Sequence, residues 1–286
     1  MRRSLGFAVI SGLTFSLLAG CATMSPEWEA LYDRLSEDPE EFDAGVLEGR
    51  RIVIDPGHGG RFRGAMGVDS LAEADANLGV SLYLWGMLDE AGADVHLTRS
   101  TDRDFLSGSS EGTGSEELRE DLGRRMAVVD SLRPEVFVSI HHNSNLARDR
   151  KSNRVEVYYR GDDPRASLEL AEEIHLHLAR NLGIAESTIR PGNYFVLRES
   201  PAGASVLGEA SYISNPRVED RLKISTRQRL EAEAYYLGIL SYFMRGVPRI
   251  EAVPEAARVS ALPGSIGFTV RRGAGVPLDP VSMRVL

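Results

Sequence analysis

The sequence predicts an α/β domain: a mostly parallel sheet covered by helices on both faces, with a short strand-rich C-terminal extension. Two observations carry this. Short Val- and Ile-rich runs alternate regularly with longer runs of helical periodicity, as expected of parallel strands joined by crossover helices. Gly and Pro also punctuate the pattern at its ends: Gly92 closes the first helical run, and Gly246 and Pro248 close the last.

The elements follow in order. Residues 51–55 form an apolar strand. Residues 74–91 form a helix that places Leu78, Leu82, Trp85 and Leu88 on one face. Strands are expected at 94–98, 136–140, 155–159, 194–197 and 205–208, and helices at 116–132, 165–182 and 230–244. Beyond Pro248, two strand-like runs at 266–270 and 281–285 lie among Gly and Pro turn signals. That segment is too short for a sandwich of its own. Residues 105–121 stand out as a Gly/Ser-rich, then acidic, insertion.

Composition narrows the function. The 286 residues carry a net charge of −9, and no basic stripe is present to displace counterions from phosphates, so nucleic acid is not an expected partner. Cys21 is the only cysteine, which rules out an internal disulfide. Arg2 and Arg3 precede an apolar run at 5–18, too short to span a bilayer comfortably. The run ends in Leu18-Ala19-Gly20-Cys21, which resembles a bacterial lipobox. That resemblance implies lipidation at Cys21, which becomes the mature N-terminus and anchors the chain to the membrane. Ala22, where Asp would imply retention, implies the periplasmic face of the outer membrane. The expected organisation is a signal peptide at 1–20, an acidic tether at 21–49, a catalytic domain at 50–246 and the extension at 247–286. The tether includes a short amphipathic piece, Trp28, Leu31, Tyr32 and Leu35.

Four stretches concentrate the chemistry: Arg-Ile-Val-Ile-Asp-Pro-Gly-His58-Gly-Gly, Glu73-Ala-Asp-Ala-Asn-Leu, Val-Ser-Ile-His141-His-Asn-Ser and Val-Leu-Gly-Glu209-Ala-Ser-Tyr-Ile-Ser-Asn-Pro. His58, His141 and Glu209 each follow a predicted strand, and ligands of open α/β sheets gather outside the carboxyl ends of strands. Glu73 opens the first long helix and can lean over the same rim, although a carboxylate there also suits the helix dipole. Two histidines and two glutamates supply what a catalytic zinc site requires: three protein ligands, an open fourth position and a carboxylate to manage protons. His142 competes with His141, but on a continuing strand the two side chains face opposite ways.

Stretch for stretch and in order, this set resembles the catalytic domain of the zinc-dependent N-acetylmuramoyl-L-alanine amidases, over roughly residues 51–246. The resemblance implies His58, Glu73 and His141 as Zn2+ ligands and Glu209 as the catalytic carboxylate. The family pattern Ser-Ile-His-x-Asn selects His141 over His142. It also implies peptidoglycan as substrate, cleaved between N-acetylmuramic acid and L-alanine, with an envelope protein regulator as a further candidate partner. Asn143, Arg99 with Asp102, and Arg125 match family positions and are expected to support the site. The chain departs from the family at Phe62, where Asp is common. The 144–154 link is too short for the helix that occludes zinc in several division amidases, which leaves the acidic half of 105–121 as an alternative latch. Two rival readings stay open on sequence alone, a non-catalytic peptidoglycan-binding lipoprotein and a zinc peptidase. The chain lacks the His-Glu-x-x-His signature of the latter.

Overall fold

Six strands form one sheet, in the spatial order Asp94–Leu97, Arg51–Pro56, Val136–Asn143, Ala204–Tyr212, Val155–Arg160 and Ser187–Gly192. The computed structural model describes residues 43–106, 114–145, 149–162, 165–245, 249–252 and 268–271. Cys21, the signal and most of the tether lie outside the described residues, as does the strand expected at 281–285. The strands are β1 (Arg51–Pro56), β2 (Asp94–Leu97), β3 (Val136–Asn143), β4 (Val155–Arg160), β5 (Ser187–Gly192) and β6 (Ala204–Tyr212). The helices are α1 (Glu73–Glu90), α2 (Gly114–Leu132), α3 (Ala166–Leu182), α4 (Phe195–Arg198), α5 (Pro216–Leu222) and α6 (Ser225–Arg245). Strands β2, β1, β3 and β6 pair in parallel. Strand β4 runs antiparallel to β6 and parallel to β5. Among the described residues no helix lies between β3 and β4, and the short link of 144–154 does not make the crossover that a parallel return needs.

The alternation of side chains along each strand feeds two cores. Ile52, Ile54, Val138 and Ile140 pack with Val80, Leu84, Ile174, Leu178 and Ile239 of α1, α3 and α6. Val53, Phe137 and Leu207 point the other way, onto Met126 and Val129 of α2 and Val196 and Leu197 of α4. Both faces are therefore covered, as an internal parallel sheet requires. Ahead of β1, a 3-10 turn at Ala44–Leu47 is capped by the Asp43 side chain and buries Leu47 in the first core.

Several local expectations change. Where a strand is expected at 194–197, Tyr194 alone is extended and Phe195–Arg198 form a helical turn, so that Val196 and Leu197 enter the second core. The actual strand, β5, precedes it as Ser-Thr-Ile-Arg-Pro-Gly, a half-exposed edge strand where Pro191 is tolerated. Helix α1 buries Ala76, Val80, Leu84 and Leu88 together with Asn77 and Ser81, while Leu82 and Trp85 stay exposed. Only Leu88 of the expected face is fully buried. The indole of Trp85 instead donates to the Val95 carbonyl at the sheet edge. Helix α5 is signalled by Asn215, whose side chain caps Arg217 N, and by Pro216 in the first turn. Helix α6 begins at Ser225, five residues earlier than its apolar pattern suggests. In the extension, β7 (Arg249–Ala252) pairs antiparallel with β8 (Phe268–Arg271), the latter overlapping the expected 266–270 run.

Candidate active site

The turn after β1 is built to present one side chain. His58 has φ of 62°, a left-handed value uncommon outside glycine, and is followed by Gly59 and Gly60, also at positive φ. Two buried arginines hold the turn by its carbonyls. Arg99 donates to the oxygens of Pro56, Gly57 and Ala74, and Arg125 donates to those of Pro56 and His58. Arg125 is neutralised by Asp55 at 2.8 Å and Asp121 at 3.3 Å. Burial, with the neighbouring Arg125, draws the Arg99 guanidinium down to about 10, which leaves it cationic at neutral pH. The sequence placed Arg99 and Arg125 in supporting positions, and their bonds go to the backbone beneath the histidine.

Glu73 opens α1 and is 5% exposed. Its Oε2 accepts from Ala65 N at 2.8 Å and lies 3.1 Å from His58 Nε2. Its Oε1 lies 2.9 Å from His141 Nδ1. The two imidazoles meet edge to face with centroids 4.9 Å apart. Ligand atoms of His58, Glu73 and His141 all fall within 4.8 Å of one another, close enough to hold one metal ion. Burial opposes the charge on Glu73, but hydrogen bonds and charge from His141 and His58 outweigh it and hold the carboxyl far below its usual range. Burial pushes the His141 ring the other way, toward its neutral form, which is the form that binds metals. Gly57 is required here, since a Cβ on it would overlap the His141 ring.

Glu209 of β6 is the register partner of His141 on β3. It is 8% exposed, and its Oε2 is buried without a hydrogen-bond partner. Burial, then the charges of Glu73 and Glu156, raise its carboxyl well above the usual range. A metal would find a donor set of two nitrogens and one carboxylate oxygen, with an unpartnered carboxylate alongside. That set suits a borderline ion such as zinc. All four side chains line one cleft of about 360 Å³, whose apolar wall includes Phe62, Leu122, Phe195 and Val196.

Sequence residues 52–241 match the family model described as N-acetylmuramoyl-L-alanine amidase. The chain belongs to the N-acetylmuramoyl-L-alanine amidase family. It is 33% identical over 202 residues to the germination-specific N-acetylmuramoyl-L-alanine amidase of Bacillus subtilis (strain 168), covering 69% of this chain and 81% of that one. It is 32% identical over 198 residues to the uncharacterized protein YqiI of the same organism, covering 69% of this chain and 86% of that one. Among solved structures, it resembles the CwlD amidase of Clostridioides difficile, determined in complex with the GerS lipoprotein. The TM-score is 0.64 at 29% identity, covering 68% of this chain and 98% of that one.

Other amidase residues of this chain settle into defined places. The buried His142 ring is engaged by Asn77 and Glu231, and only His141 of the pair joins the cluster. Asp102 bonds Gly60 N and Arg63, and so pins the glycine turn. Asn143 donates to Glu156. In the acidic half of 105–121, Glu117 pairs with Arg61, Glu120 with Arg124 and Asp121 with Arg125. These three carboxylates are engaged by arginines and do not belong to the histidine–glutamate cluster. Among the buried polar residues that the sequence did not single out are Glu156, Glu219 and Glu231. Glu219 accepts from Asp69 N and Leu71 N and so clamps the loop before Glu73. The Asn215 cap and Pro216 mark the helix carrying Glu219, but nothing local marks its partner loop.

No helix among the described residues is long and apolar enough to cross a membrane.

Proposed function

We propose that this protein is a zinc-dependent cell-wall amidase that hydrolyses the amide between the lactyl group of N-acetylmuramic acid and L-alanine in peptidoglycan. One observation carries the reading: the His58–Glu73–His141 cluster has an unpartnered, charge-averse carboxylate, Glu209, at the register position beside it. His58, Glu73 and His141 hold the metal. Bound zinc supplies Lewis acidity that polarises the scissile carbonyl and makes water acidic near neutral pH. Glu209 manages the proton, accepting it from the attacking water and handing it to the departing L-alanine nitrogen. The surroundings that raise its proton affinity suit it to both halves of that transfer. Arg99 and Arg125 keep the His58 turn rigid, and the apolar wall of the cleft limits the water that reaches the reacting bond.

The N-terminal organisation belongs to the same proposal. Residues 1–20 form a lipoprotein signal, and Cys21 is lipidated and anchors the catalytic domain (50–246) through the 21–49 tether at the periplasmic face of the outer membrane. Residues 247–286 form the strand-rich extension. Turbidity loss of purified sacculi tests the reading, followed with and without chelator. The proposal expects lysis that stops on chelation and resumes on adding zinc. Unchanged lysis after complete chelation would overturn zinc dependence. A stable zinc protein that never lyses sacculi would favour the non-catalytic peptidoglycan-binding reading.

A further inference from the structure

Beneath the cluster lies a polar unit that the chemistry above does not use. His142 and Glu231 are fully buried, their side chains 0% and 2% exposed, and His142 Nε2 lies 3.1–3.2 Å from the Glu231 carboxylate oxygens. His142 Nδ1 lies 2.7 Å from Asn77 Oδ1. On its other side, Asn77 Nδ2 donates to the Gly57 carbonyl at 3.2 Å and to Glu73 Oε1 at 3.4 Å. Those two acceptors carry no hydrogen, which fixes the amide orientation and turns Oδ1 toward the ring. Both ring nitrogens of His142 therefore face acceptors. The His142 backbone N–H also lies 3.3 Å from Glu73 Oε1.

A buried ionisable pair is by itself a weak stabilising device. This one sits between β3 and α6 in a layer whose neighbours include Ile140, Ala232 and Tyr235, and buried ionisable pairs of this kind can often be replaced by apolar residues at no loss. What the pair does provide is direction. It fixes one face of Asn77, whose other face holds the carboxylate of Glu73 and the carbonyl just ahead of His58.

We infer that the His142–Glu231 pair is a positioning device for the metal centre, acting through Asn77 on Glu73 and on the turn that carries His58. The inference rests on the reading of His58, Glu73 and His141 as zinc ligands. Partners that orient ligands in this way typically change metal affinity by about 10- to 100-fold when removed.

The test uses the full chain and reads zinc affinity by competition with a chromophoric chelator, the absorption spectrum of the Co2+-loaded protein, and thermal unfolding in chelator. The double variant His142→Leu/Glu231→Leu replaces the pair by apolar side chains. It should melt in chelator no lower than wild type, yet bind zinc about 10- to 100-fold more weakly and show an altered Co2+ spectrum. Asn77→Ala should weaken zinc similarly, and adding it to the double variant should weaken binding little further. A folded double variant with wild-type zinc affinity and an unchanged Co2+ spectrum overturns the inference. Should the double variant not fold, Glu231→Gln and Glu231→Leu decide. Gln can still bond the ring and should retain more affinity than Leu, and equal affinities overturn the inference. A wild-type chain that holds no zinc overturns the underlying reading as well, whereas zinc held equally by wild type and double variant overturns this inference alone.

Discussion

Glu209 and Glu156 stand directly opposite each other in the antiparallel register of β6 and β4, yet only Glu156 is surrounded by donors. Glu156 accepts from Asn143, from the Tyr212 hydroxyl at 2.8 Å and from Arg190 at 3.1 Å. Glu209 Oε2 has no partner. Two buried carboxylates thus stand side by side in unlike surroundings, Glu156 satisfied by donors and Glu209 with one oxygen left unpartnered, and it is this difference that singles out Glu209 for the tests below.

Glu209→Gln is expected to keep the fold and bind zinc while losing about 100- to 10,000-fold in turnover, the usual contribution of a general acid–base group. Zinc content and sacculus lysis measured on one preparation check this. Near-normal turnover would remove Glu209 from the chemistry.

Gly57→Ala should damage the centre without unfolding the domain, because the nearest atoms the added Cβ meets all belong to the His141 ring. The expected result is loss of retained zinc with circular dichroism unchanged. Full zinc retention after gel filtration would show that the ring can move aside and still bind.

Asp55 makes stability depend on acid. Burial raises its carboxyl, but Arg125 and hydrogen bonds from Thr98, Arg125 and Ser139 outweigh that and lower it. A lowered folded value contributes stability that is present above the unfolded value near 3.9 and fades as pH falls below it toward the folded value. Asp55→Asn should therefore destabilise by about 3 kcal/mol at pH 7, as breaking a buried pair does. The difference from wild type should shrink in denaturant titrations carried below pH 4. A gap independent of pH would mean that the charge on Asp55 contributes nothing.

Cys21→Ser is expected to block lipidation and move the protein from the detergent phase to the aqueous phase in Triton X-114 partitioning. Identical partitioning of variant and wild type would contradict the anchor.

Much of this architecture is legible because its period is short. Ile52, Val53 and Ile54 alternate between two cores, and that alternation is written in consecutive letters. The site is legible in part for the same reason: His58 follows β1 as expected, whereas β3 and β6 run on to Asn143 and Tyr212, so His141 and Glu209 lie within their strands rather than after them. Strand β5 is not legible, since a half-exposed edge strand carrying Arg190 and Pro191 needs no apolar alternation. Tyr194 to Leu197 misleads because β-prone side chains are recruited into a helical turn by the core beneath them. In α1 the large side chains Leu82 and Trp85 draw attention to a face that stays outside, while Ala76 and Val80 allow close approach inside. The His142–Glu231 unit is the hardest to foresee: the two lie 89 residues apart, and the sequence weighs His142 only as a rival to His141 while leaving Glu231 unmarked.

The central claim is the bond that is cut. Mass analysis of soluble products from purified sacculi digested by the zinc-loaded protein tests it most directly. The account predicts free stem peptides that begin with an unblocked L-alanine, leaving glycan strands with intact lactyl groups, and no such products from the Glu209→Gln variant. Products cut within the stem peptide, with L-alanine still joined to N-acetylmuramic acid, would contradict it.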